Sequence, residues 1–212
     1  MTDERTLKPA EERHHPLPDR TMDQLFRQAR TRYAWSDRKV SDETIHALYE
    51  LMKWGPTSAN GQPGRYLFIT SDAAKAKLEP FLIPDNVEKT MSAPVITLIG
   101  HDLAFYEQLP TQFPHTPAKT WFEGNDALIE ETAMRNGSLQ GAYLMMAARS
   151  LGLDVGPMSG FDRQGATETF FASRPGFERV HANFLCNVGY GTDEKLFPRG
   201  PRLGFDDVAQ II

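Results

Sequence analysis

Met52-Lys-Trp-Gly-Pro-Thr-Ser-Ala-Asn-Gly-Gln-Pro-Gly-Arg65 is a polar, rigid corner between two packed elements. Upstream, Ser41 to Trp54 has Ile45, Leu48, Leu51 and Met52 on one helical stripe, with Ser41 as N-cap. Downstream, Tyr66-Leu-Phe-Ile-Thr70 reads as a strand. Within the corner Pro56 and Pro63 stiffen the backbone, while Gly55, Gly61 and Gly64 admit a close neighbour. Thr57, Ser58, Asn60 and Gln62 supply donors and acceptors. The mixture suits the polar edge of a flat heteroaromatic ring; it also suits an ordinary helix-to-strand loop.

The surrounding chain predicts one α+β domain over 21–212, preceded by an irregular arm over 1–20 that mixes acids, bases and three prolines. Its 212 residues suffice for a core without metal or disulfide staples. The net charge of -5, with basic residues scattered among acidic ones, argues against nucleic acid as a partner. Cys186 stands alone in an apolar run, so it reads as a core thiol and a reducing compartment, the cytoplasm, is expected. No apolar run approaches the roughly 20 residues of a membrane span.

In order, a helix is predicted over Met22–Tyr33, carrying Arg30 and Arg32 near its end. Paired guanidinium groups there suit a phosphate, though most arginines are solvated surface. A short helix over Ser71–Phe81 and a strand over Ser92–Gly100 follow, the strand apolar enough to need cover on both faces. From His101 to Asp126, aromatic residues and prolines predict a lid over a site, or a surface excursion. His115 and Lys119 in it, with Arg163 further on, are candidates for gripping a substrate carboxylate. Asn125–Leu151 predicts a long helix, apolar around most of its second half and therefore suited to a second subunit or to a central core. A small-residue corner over Leu153–Phe161, a short helix over Asp162–Phe171 and a strand over Val180–Tyr190 precede a Pro/Gly-rich tail bearing Arg199 and Arg202, and a final amphipathic piece.

Gly189-x-Gly191 lacks the third glycine of a dinucleotide fingerprint, and Gly156-Pro-Met-Ser-Gly160 has its serine one place too late for a hydrolase elbow. The six histidines show no metal-ligand spacing, so no metal site is expected. Two polar glycine corners and two arginine pairs, without an evident catalytic acid or base, make sense where a bound cofactor carries the chemistry. Flavin mononucleotide (FMN) fits those parts, its phosphate on arginines and its ring against the corners.

The motifs Met52–Asn60, Glu131-Thr-Ala-Met-Arg-Asn136, Leu151-Gly-Leu-Asp154, Gly156–Gln164, Asn187-Val-Gly-Tyr-Gly191 and Pro201-Arg-Leu203 occur in order along the chain. Together they resemble the nitroreductase family of flavin enzymes from Met22 to Ile212, most closely the branch that includes malonic semialdehyde reductases. The resemblance implies a sandwich with a central, mainly antiparallel sheet flanked by helices, an intertwined homodimer, and FMN at two subunit-spanning sites. It implies that Arg30, Arg32, Arg199 and Arg202 hold the phosphate and ribityl end, that Ser58 and Asn60 meet the ring edge, and that Pro157, Ser159 and Gly160 approach N5. It also implies NADH or NADPH as electron donor and a small-molecule acceptor. That acceptor is malonic semialdehyde, reduced to 3-hydroxypropionate, or alternatively a nitroaromatic or quinone. A flavin-binding dimer without turnover is the reading from a different class.

Overall fold

A computed structural model describes residues 14–212. Of the predicted arm, residues 1–13 lie outside the described residues; His14–Pro18 is exposed and irregular, and Asp19 already opens α1 (Asp19–Met22). Four strands, β1 (Gly64–Ile69), β2 (Val95–Asp102), β3 (Asp154–Met158) and β4 (Val180–Gly189), form one sheet in the order β1-β2-β4-β3. All three pairings are antiparallel.

Every residue of β2 is buried, as its apolar run requires. One face carries Ile96, Leu98, Ala182 and Leu185, packed under α3 (Asp72–Leu78), α4 (Pro84–Met91) and the helical stretch after α7 (Arg163–Ala166). The other face carries Ile99, Val155, Cys186 and Val188, packed under α2 (Asp42–Met52) and α6 (Asp126–Ser150). Helices thus sandwich the sheet, which is the expected α+β arrangement. Ser41 caps α2 by accepting from Thr44 N at 3.3 Å, and Asn125 caps α6 by accepting from Leu128 N at 3.1 Å. Cys186 is fully buried, and desolvation pushes its thiol up to about 12, so it is inert core.

Five expectations need correction. The helix predicted over Met22–Tyr33 ends early: α1 passes into a wider turn, Asp23–Arg27, and Thr31 then forms a parallel bridge with Val155. Arg32 N donates to Val155 O at 3.1 Å and Ser36 N to Tyr190 O at 2.9 Å, so Thr31, Tyr33 and Trp35 follow the two-residue period of an extended segment. The corner predicted at Leu153–Phe161 contains β3. Pro157 is tolerated there because β3 has a full partner, β4, on one side only. Helix α4 went unpredicted, although Pro84 sits at its first turn.

The presumed lid is instead a folded excursion containing α5 (Leu109–Gln112). Phe105, Leu109, Ala118 and Phe122 are buried with Ile129 and Ala133 of α6, so those rings cover one another rather than a site. Finally, the terminal piece is only α8 (Phe205–Val208), with Phe205, Val208, Ile211 and Ile212 exposed. Among the described residues no helix is long and apolar enough to cross a membrane.

Candidate functional site

Four arginines meet in one cleft. Arg30 follows α1, Arg149 ends α6, and Arg199 and Arg202 come from the tail; with Phe26, Thr31, Tyr33 and Phe197 they line a cavity of about 550 Å³. Among the described residues no aspartate or glutamate lines it. Arg30 donates to Phe197 O, Arg149 to Leu25 O at 2.9 Å, Arg199 to Ala29 O at 3.1 Å, and Arg202 to Gly200 O and Pro201 O at 3.0 Å each. Carbonyl partners orient a guanidinium without neutralising it. Arg27, a fifth arginine lining the cavity, is by contrast neutralised by Asp19 at 2.6 Å and Asp23 at 2.7 Å. Four arginines with no carboxylate among the described lining residues have the chemistry that suits a multiply charged anion such as a phosphate monoester.

Arg149 is the member that sequence reading missed, because it closes a helix whose last turns are otherwise apolar. Partial burial lowers its pKa, a sign that the group is held away from water. Arg32, predicted beside Arg30, is turned elsewhere. In an extended segment alternate side chains point to opposite faces, and Arg32 reaches Asp193 at 2.6 Å, Asp154 at 3.3 Å and Thr192 O at 3.1 Å. Burial alone would lower its pKa, but the bonds and charges of Asp193 and Asp154 outweigh this and raise it. It is a structural ion pair, and the cleft does not include it.

From the cleft, β3 leads to the second predicted group. Thr31 bridges Val155, and Ser159 is four residues further along, roughly 13 Å at the rise of a strand. There Gly160 O accepts from Asn86 Nδ2 at 2.7 Å and Ile83 N at 3.2 Å, which pins the Pro157–Gly160 turn to α4. A Cβ on Gly160 would come within 2.5 Å of Ile83 Cδ1, so the turn needs glycine to sit this close.

Ser58 and Asn60 lie apart from both. Ala59, Asn60 and Gln62 have φ of 48°, 51° and 44°, so three non-glycine residues occupy the left-handed region within four positions. Thr57 Oγ1 accepts from Gln62 N at 3.2 Å, Asn60 Nδ2 donates to Gln112 O at 3.0 Å, and Asn136 Oδ1, from mid-α6, accepts from Ser58 N at 2.9 Å. The nearby glycines serve packing: a Cβ on Gly55 would fall 2.0 Å from the Tyr143 ring. Asn136 and Arg149 are thirteen residues apart on α6, about 20 Å along the axis. One protomer therefore unites Arg30, Arg199 and Arg202, reaches Pro157–Gly160 along β3, and leaves Ser58 and Asn60 about half the length of α6 away.

Of the candidate carboxylate-binding residues, His115 and Lys119 line one cleft and Arg163 another. Lys119 pairs with Glu107 at 2.7 Å, His115 packs edge-on against Phe113 at 5.4 Å, and Arg163 faces a different cleft near His101.

Comparison with solved structures gives the class first. Two provisionally named nitroreductases superpose on nearly the whole chain. That of Bacillus subtilis gives a TM-score of 0.78 at 18% identity, covering 92% of this chain and 100% of that one. That of Exiguobacterium sibiricum, in complex with FMN, gives 0.77 at 20%, covering 93% and 99%. The fold is the nitroreductase fold. Sequence then gives the membership: the model of the Nitroreductase family matches residues 26–190. A Burkholderia lata protein provisionally named NADH dehydrogenase/NAD(P)H nitroreductase is 55% identical over 195 residues, 92% of this chain and 98% of its own. A similarly named Stenotrophomonas maltophilia protein is 54% identical over 197 residues, 93% and 98%. This chain belongs to the nitroreductase family.

Proposed function

We propose that the protein is an FMN-dependent NAD(P)H oxidoreductase, working as a two-fold homodimer and reducing a small acceptor. The observation that carries this reading is the cleft where four arginines meet with no carboxylate among the described lining residues, from which β3 leads to a pinned turn. Bound there, FMN would supply two-electron redox chemistry, coupling oxidation of the nicotinamide to reduction of the acceptor.

The residues of this chain bind and orient. Arg30, Arg199, Arg202 and Arg149 hold the phosphate, and Pro157, Ser159 and Gly160 offer backbone to the ring. Ser58 and Asn60, about 20 Å away along α6, serve the ring edge of the other subunit's site. Exposed Leu51, Trp54 and Leu139, on and beside α2 and α6, favour the dimer, because such side chains gain from a partner's cover.

Malonic semialdehyde is the acceptor suggested by the motif pattern. The second reading, a nitroaromatic or quinone, is favoured by the names of the relatives above 50% identity. Comparing kcat/KM for the aldehyde acid and for a nitroaromatic on the same enzyme separates them. The aldehyde reading predicts the higher value for the acid. A large preference for the nitroaromatic removes that substrate and leaves the oxidoreductase.

A further inference from the structure

A second cleft, of about 490 Å³, lies where β2 and β4 meet α6, and it shares no lining residue with the arginine cleft. The strand register creates it. Ile99 faces Phe184 but Gly100 faces Ala182, so a bulge at Asn183 brings His101 opposite His181. Without the bulge His101 would face Ala182. Across this end of the sheet runs α6, and Gly137 lets it approach: a Cβ there would meet His101 Cβ at 2.8 Å. Two helical turns earlier, Glu130 reaches both rings, its Oε1 lying 3.3 Å from His101 Nε2 and its Oε2 3.9 Å from His181 Nδ1.

We propose that His101, Glu130 and His181 bind one divalent transition-metal ion of the zinc class, leaving one coordination position open to the cleft. One ligand atom from each residue lies within 4.8 Å of the others. Tetrahedral bonds of about 2.0–2.2 Å put ligand atoms about 3.4 Å apart, so the 3.3 Å pair already fits and the widest pair must close by up to about 1.4 Å. His101 is rigid at 3% exposure, while the Glu130 and His181 side chains, at 52% and 51%, are free to close on an ion. The 3.9 Å gap exceeds a hydrogen bond, so direct pairing does not explain why His181 joins the group.

Two imidazoles and one carboxylate select a borderline ion over calcium or magnesium, which require more oxygen ligands. Three protein ligands with a fourth place for water resemble an exchangeable rather than a closed site. Arg163 faces the same cleft and opposes a cation; Glu168, bonded to Gln164 Nε2 at 3.0 Å, faces it and offsets that charge. No sequence spacing reveals the triad, because the register of two strands and the crossing of a helix assemble it.

The test uses the full untagged chain with its flavin, stripped by chelator and titrated with zinc chloride by calorimetry and with Co²⁺ by visible d–d absorption. One ion per chain is expected. His181→Ala and Glu130→Gln, both at half-exposed side chains, should each lower affinity by more than the roughly 10–100-fold that follows loss of an outer-shell partner, and abolish the Co²⁺ bands. Circular dichroism confirms that both variants are folded. Absence of saturable binding, or one ion bound equally well by both variants, overturns the site. Calorimetry reads the ion itself, and neither variant lies in the arginine cleft, so the result stands apart from the proposed function.

Discussion

Arg30→Ala and Arg202→Ala each weaken FMN binding by about 10- to 100-fold, while Lys195→Ala changes it by less than about threefold. A hydrogen bond to a charged group contributes about 1.5–3 kcal/mol, and 1.4 kcal/mol is tenfold in affinity. Among the described residues Arg30 and Arg202 have only carbonyl partners in the cleft, so each can present its charge to a phosphate. Lys195 is already committed to Glu88 at the surface. Arg32→Ala is the informative contrast: its partners are Asp154 and Asp193, so its loss should lower stability with little effect on flavin affinity. Fluorescence titration of flavin-free protein reads all four variants. Equal affinities for Arg202→Ala and Lys195→Ala would refute the phosphate assignment, and raised salt should narrow the difference by screening.

Phe171→Ala should cost about 3–5 kcal/mol of folding stability, the range for emptying a buried aromatic site. Phe171 is fully buried, stacks on Phe177 with centroids 6.1 Å apart, and lies so close to Gly100 that a Cβ there would come within 2.9 Å of its ring. The space it fills is bounded by a sheet and a helix, neither of which collapses easily into a hole. Domains of this size lose about 2–4 °C in Tm per kcal/mol, so a fall of roughly 6–20 °C is expected. Lys77→Ala, on the exposed face of α3, should move it by less than about 0.5 kcal/mol. Thermal unfolding of flavin-free protein is the measurement, because bound ligand would mask the loss. Matching transitions for the two variants would show that this half of the core is not packed as described.

What was legible in the sequence is what short-range pattern encodes. Leu48 and Met52 on one stripe of α2, the uninterrupted apolar run of β2, and the cap Ser41 each state their element locally. What was lost depends on partners far along the chain. Thr31-Arg-Tyr-Ala-Trp35 looked like a helix end because its strand period has meaning only beside Val155 and Gly191. Pro157 masked β3 because a proline excludes a central strand but not one whose outer side is nearly free. Arg30 and Arg202 could be singled out as candidates for a phosphate, since arginine pairs near a helix end and in a Pro/Gly-rich tail invite that reading. Arg149 could not, because only the fold brings the end of α6 to the tail. The aromatic excursion misled for a related reason: composition says that rings need cover, and cannot say that Phe105 and Phe122 cover each other at 4.9 Å.

The central claim is that a flavin held by the arginine cleft does the chemistry while the protein positions it. Incubate the purified chain with FMN, remove free ligand, quantify bound flavin, and then add NADPH or NADH without oxygen while recording the visible spectrum. The account predicts one FMN per chain, bleached by at least one of the two nicotinamides. A chain that stays colourless, or one that holds flavin which neither donor reduces, would contradict it.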